Sequence, residues 1–231
     1  DGPADFHTIQ EAINAATTGD IIFVKAGIYY ENVVVNKTVT LVGEDSATTI
    51  IDSDFAGTTL EVNANNVSVY HFTICHPQVP NSAVMLYGVN GCNMSSNNIG
   101  ENYGTRSIWL CDSSNNCFLG NNITRSLGLY LDNSHDNVFR GNRITDNHNV
   151  AGIRLTYSSN SNFVIGNSIL DNDVCGIRLD DSHDNFIIGN NVMNTEVWGI
   201  MSDSSSGNAI FHNNFVNNTW QTNSSASSNI W

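Results

Sequence analysis

The chain has 231 residues and sets 22 acidic side chains against eight basic ones, for a formal net charge of −14 at pH 7. That balance argues against nucleic acid as a partner, because a phosphate backbone is held by clustered Lys and Arg. No apolar run approaches the roughly 20 residues of a membrane span, and no signal peptide is present, so the chain reads as a mature product whose leader has been removed.

Thr8 followed by Glu11 forms a capping box, and Ile9, Ala12, Ile13 and Ala16 make a short helical stripe ending near Gly19. This helix is expected to cover the end of the β-structure C-terminal to it, which would otherwise expose apolar side chains and unpaired backbone. Strands are expected over 21–25, 33–35, 39–42, 49–51, 59–62 and 67–74. The prolines at 77 and 80 make His76 to Pro80 a loop, and the segment 100–105 is expected to project beside it.

From Ser107 onward the chain repeats itself. Asparagines five residues apart recur as Asn116/Asn121, Asn137/Asn142, Asn162/Asn167, Asn185/Asn190 and Asn208/Asn213, at intervals of 21, 25, 23 and 23 residues. An apolar residue follows each second asparagine by two, and apolar pairs such as Ile108/Leu110, Leu129/Leu131, Ile153/Leu155 and Ile177/Leu179 precede each first one. Self-similarity at this period, carried by short stretches of period-2 alternation, predicts an all-β parallel solenoid of roughly ten coils stacked at about 4.8 Å. The asparagines are expected to stack as amide ladders in the turns, and Gly120, Gly141, Gly166 and Gly189 to sit at positive φ. The whole chain is read as one domain: a cap over 1–20, irregular first coils over 21–57, regular coils over 58–219 and a tail over 220–231. That tail has no apolar periodicity of its own.

The alternation also assigns the outward side chains. One outward row holds Val138, Phe163, Ile165, Phe186, Ile188 and Phe211, an apolar patch suited to an interface. Another holds Trp109, Tyr130, Arg154 and Arg178, a combination that suits sugar stacking and carboxylate binding, or equally a protein contact. Asp132 and Asp180 are expected to pair with the neighbouring arginines.

The five cysteines show no CxxC or Cys/His metal spacing, so no metal is expected from them. Cys92 replaces a ladder asparagine one coil before Asn116, which allows a disulfide with Cys117, subject to geometry. Sequons begin at Asn36, Asn66, Asn93, Asn122, Asn217 and Asn223 and are candidate N-glycosylation sites. No cofactor motif is present, and Ca²⁺, though compatible with so acidic a chain, has no motif of its own.

The phrases Gly-Ile-Arg-Leu-x-x-Ser and Asn-x-x-Ile-Gly-Asn resemble the right-handed parallel β-helix repeat of the NosD-like family of secreted and cell-surface proteins. The segments Thr8 to Ala16, Gly19 to Val24 and Lys37 to Glu44 are similar to the first coils of that family and of pectin-degrading β-helices. The resemblance implies a right-handed, single-stranded β-helix with an extracellular or cell-surface location. It constrains activity little, since the family spans lyases, hydrolases, epimerases, binding modules and envelope proteins. The stretch Asp181-Ser-His-Asp184 resembles the Asp-x-His-Asp motif of β-helical uronate epimerases, in which the histidine moves a proton, with Ser182 where that motif has proline. No catalytic set is expected otherwise, and His183 and Asp184, with Arg178 on the neighbouring outward column, are candidate catalytic residues only if the chain is carbohydrate-active.

The scattered aspartates, Asp112, Asp132, Asp171, Asp173, Asp180 and Asp203, form no obvious catalytic cluster. The favoured expectation is accordingly a non-enzymatic envelope protein, a surface layer, sheath or fibre subunit, whose partners are copies of itself in a homopolymer. The alternatives are a carbohydrate-active or carbohydrate-binding β-helix acting on surface glycans, and a NosD-like periplasmic accessory protein in copper-enzyme maturation.

Overall fold

The computed structural model describes residues 5–102, 104–148 and 150–231. The first four residues, Tyr103 within the expected projecting segment, and Asn149 lie outside the described residues.

Each coil contributes one strand to each of three parallel sheets, and each sheet holds nine strands in the order of the coils. Sheet A runs from Ile21–Val24 to Ala209–Phe211, sheet B from Gly27–Tyr30 to Asn214–Val216, and sheet C from Val33–Val35 to Trp220–Ser225. Coil pairing is in register, so the period-2 alternation becomes columns. Leu41, Val69, Met94, Phe118, Phe139, Val164, Ile187 and Ile210 stack inside sheet A. Facing them inside sheet B are Ile51, Ile74, Ile99, Ile123, Ile144, Ile169, Val192 and Phe215. These columns are buried apart from the half-buried Phe215, with Phe118 and Phe139 stacked ring on ring at 4.9 Å.

The asparagines hold the turns. Asn137 donates its backbone N–H and its side-chain Nδ2–H to Oδ1 of Asn162, at 2.9 and 3.1 Å, and the same pair of bonds recurs from coil to coil along both asparagine columns. Each amide thus closes in the dry interior, where an unpaired donor is costly. Gly120, Gly141, Gly166 and Gly189 have φ of 60–64°, and His212 takes the same position at 58°. Cys92 does occupy a ladder position, its N–H bonding Asn116 Oδ1 at 2.8 Å.

The disulfide that this spacing allowed is not formed, and all five cysteines are free thiols. Cys92 is buried and its column partner is Asn116, whereas Cys117 pairs with Asn93 on the outer side of sheet A. Adjacent columns of a strand point to opposite faces, so the two thiols do not meet. Two further differences concern strands. The run 67–74 is broken at His71, whose φ of 62° turns the chain from sheet A into sheet B, and Gly27–Tyr30 is an additional strand.

The ends are held differently. The helix Ile9–Ala15 carries the expected capping box and buries Ile9 and Ile13 over the first coil. Glu31 accepts the N–H groups of Ile9 and Gln10 at 2.8 and 3.0 Å, and Lys37 Nζ donates to the carbonyls of Ile13, Asn14 and Ala16. A carboxylate at the helix N-terminus and an ammonium at its C-terminus complement its dipole. The segment read as a tail forms the strand Trp220–Ser225 of sheet C, after which Asn229 continues the ladder and Ile230 bridges Ala209. A tenth coil therefore begins after the nine complete ones.

Candidate functional site

Sheet C places Met85, Trp109, Tyr130, Arg154, Arg178 and Met201 in one outward column, as the alternation predicts. The polar groups of this column are already engaged. Arg154 Nε and Arg178 Nε donate to the two oxygens of Asp180, each at 2.9 Å. Arg106 lies over the rings of Trp109 and Tyr130, at 4.4 and 5.0 Å from their centroids, and Arg154 lies 5.8 Å from that of Tyr130. Tyr130 is consequently only 6% exposed, and burial raises the pKa of its phenol. Asp132, expected to pair with an arginine, instead accepts the indole N–H of Trp109 at 2.6 Å.

The candidate catalytic histidine sits in a turn and closes a ladder of its own. His183 Nδ1 accepts the backbone N–H of Ser206 at 3.1 Å, and the His183 N–H donates to Asn160 Oδ1 at 2.6 Å. One coil earlier the Asn160 N–H donates to His135 Nδ1, and the His135 N–H to Ser114 Oγ. Ser114, His135, Asn160, His183 and Ser206 thus serve the same role, each offering a side-chain acceptor to the backbone of the next coil. Asp184 is an exposed turn residue at φ 54°, with its carboxylate lying over Gly207. Arg178 is on sheet C, engaged with Asp180, so the three candidate catalytic residues belong to separate structural networks.

On sheet A, Phe163 and Phe186 stack at 4.9 Å with 5° between their planes. Beside them Ile165, Ile188 and Phe211 lie in the next outward column, where Arg140 separates them from Leu119. Phe186 and Phe211 are 38% and 37% exposed. Among the sequon asparagines, Asn36, Asn66 and Asn217 are exposed, whereas Asn93, Asn122 and Asn223 are half-buried.

Sequence reasoning missed a group on sheet B. Asp52 and Cys75 are coil neighbours on its outer side, and His76 follows in the turn, bringing a carboxylate, a thiol and an imidazole within 4.8 Å of one another. His76 Nδ1 and Asp52 Oδ2 are 2.9 Å apart. Burial, then the charges of Asp52 and Glu101, push the Cys75 thiol up to about 12. The next residue of the column is Gly100, and a groove of about 220 Å³ lined by Cys75, Gly100, Glu101 and Thr124 opens there. The signal was the coil period itself: Cys75 follows Asp52 by 23 residues, one turn of the solenoid, rather than by a short metal-motif spacing.

Known proteins with this architecture are varied. A PL6-type alginate lyase bound to a trisaccharide superposes with a TM-score of 0.60 at 16% identity, over 89% of this chain and 56% of that one. A pectin methylesterase from Yersinia enterocolitica gives 0.54 at 14% identity, over 97% and 90%. At such identities the likeness is one of fold. In sequence, a cell surface glycoprotein of Methanothermus fervidus is 37% identical over 97 residues, which are 41% of this chain and 16% of that protein. Residues 13–231 match the family described as periplasmic copper-binding protein (NosD), and the chain belongs to that family.

Proposed function

We propose that this chain is a non-catalytic structural module of a cell-surface or envelope protein, associating with further copies of itself through the outer side of sheet A. The observation that carries this reading is the paired apolar column of Phe163, Phe186, Ile165, Ile188 and Phe211, with two phenylalanines more than a third exposed. Covering such a surface recovers about 25 cal/mol per Å² before the entropy of association is subtracted. A contact of this kind between unlike surfaces propagates as a fibre or ring.

The occupied state of the other candidate groups supports the same reading. A catalytic base must be able to reach a substrate proton, whereas His183 Nδ1 accepts the Ser206 N–H, which puts the proton of the neutral ring on Nε2, 3.5 Å from Asp181 Oδ1, and Arg154 and Arg178 share Asp180. The likeness to a cell surface glycoprotein favours the surface location, and the exposed Asn36, Asn66 and Asn217 are the sequons open to a glycosyltransferase. The test is the size of the particle formed by the wild type and by Phe186→Lys/Ile188→Glu, which replaces the apolar column with charge.

A further inference from the structure

We propose that Asp52, Cys75 and His76 form a binding site for one divalent cation of the zinc and cobalt class. The site lies on sheet B and is independent of the face on sheet A. Its three donors come from two adjacent coils, with the ligand atoms within 4.8 Å of one another. A cation at ordinary Zn–S, Zn–N and Zn–O distances of about 2.0–2.3 Å fits among them after small side-chain rotations.

The donors are held by their neighbours. The His76 carbonyl accepts the Phe55 N–H at 2.8 Å and the Ser53 hydroxyl at 2.5 Å, and the imidazole packs against the Phe55 ring at 5.0 Å. Asp52 Oδ1 accepts the Asp54 N–H at 2.8 Å, leaving Oδ2 directed at His76. Support of this kind is what orients first ligands in metal sites. Cys75 lines the groove beside Gly100, and a fourth position on that side would be open to water or a small ligand.

The family is described as copper-binding, but the donors at this site do not match a Cu(I) centre. One thiolate, one imidazole and one carboxylate make a borderline set. It suits a divalent ion that takes N, O and S together, and it lacks the all-sulfur character that favours Cu(I). The sign of the overall charge is favourable, since the chain carries −14, while Glu101 at the rim of the groove is ion-paired with Arg125. On binding, Cys75 Sγ gives its proton to solvent and the imidazole ligates through Nδ1 with its proton on Nε2, so one proton is released per ion.

Cobalt(II) tests this directly. Titrating the reduced, metal-free full chain with Co(II) is expected to give thiolate-to-cobalt charge-transfer absorption and the visible bands of a four-coordinate site, saturating at one ion per chain and abolished by Zn(II). Cys75→Ser removes the charge-transfer band, and Cys117→Ser leaves it intact. His76→Asn, chosen because asparagine tolerates the left-handed φ of 54° at this turn, weakens binding by about 100-fold or more. Absence of the band in wild-type protein at excess Co(II) overturns the proposal, as does a band undiminished by His76→Asn. Because His76 lies in a turn, the second criterion holds even if Cys75→Ser fails to fold.

Discussion

Ser206 donates its backbone N–H to Nδ1 of His183 across one coil step, at 3.1 Å. In the coil between the two histidines, Asn160 makes the equivalent contact with its amide oxygen. An imidazole here does the work of an asparagine. The similarity to an epimerase motif is therefore matched by a structural role that accounts for the histidine without chemistry.

That role has a measurable cost when it is removed. His183→Asn keeps an acceptor at the position and should melt within about 0.5 kcal/mol of the wild type, whereas His183→Ala strands a half-buried N–H and should cost about 1 kcal/mol. Thermal unfolding of the two variants separates these outcomes. Equal loss in both would show that the ring contributes through something other than its acceptor.

The inner ladder is less forgiving, because its groups have no water. Asn162→Ala removes the acceptor shared by the N–H and Nδ2–H of Asn137, and the donor to the carbonyls of Ser134 and Asn160. With several buried groups left unpaired, a loss of about 3 kcal/mol or more is expected in denaturant unfolding. A loss under about 1 kcal/mol would mean that the ladder is not a principal source of coil stability.

Acid should act first at the capping helix. The Thr8 and His7 N–H groups bond Glu11 and hold its carboxyl below the ordinary 4.5, and the Thr17 N–H and hydroxyl hold Asp20 below 3.8. A group whose folded pKa is depressed adds stability above its unfolded pKa and loses it as pH falls through the folded value. Protection of the amides over Ile9–Ala15, taken relative to their intrinsic exchange rates at each pH, is expected to fall as pH drops below 4.5, and Glu11→Gln to flatten Glu11's share of that dependence. A dependence unchanged in Glu11→Gln would assign it to other carboxylates.

The solenoid and its inward columns were legible in the sequence because one physical rule, in-register coil stacking, writes the same residue type at each period. Phe163 and Phe186 read as outward neighbours for that reason, and they stack as such. Three features escaped. Trp220–Ser225 is exposed and mostly polar, so its pairing rests on backbone bonds to Trp198–Asp203, which no side-chain pattern records. The run 67–74 reads as one apolar strand because the left-handed residue that breaks it is His71 rather than a glycine. The group at Asp52, Cys75 and His76 spans the boundary between the irregular coils and the regular ones, so its register shows only in the pairing of Asp52 with Cys75 across one coil.

Sedimentation velocity over a range of protein concentration reads self-association through sheet A without perturbing the chain. Copies that carry −14 each repel, while the proposed contact is apolar, so association of the wild type should rise with both concentration and salt, which screens the repulsion. The Phe186→Lys/Ile188→Glu chain should stay folded and sediment as a monomer under the same conditions. A wild type that remains monomeric at high concentration and high salt, or a double variant that assembles as the wild type does, would mean that the apolar columns of sheet A are not an interface between copies.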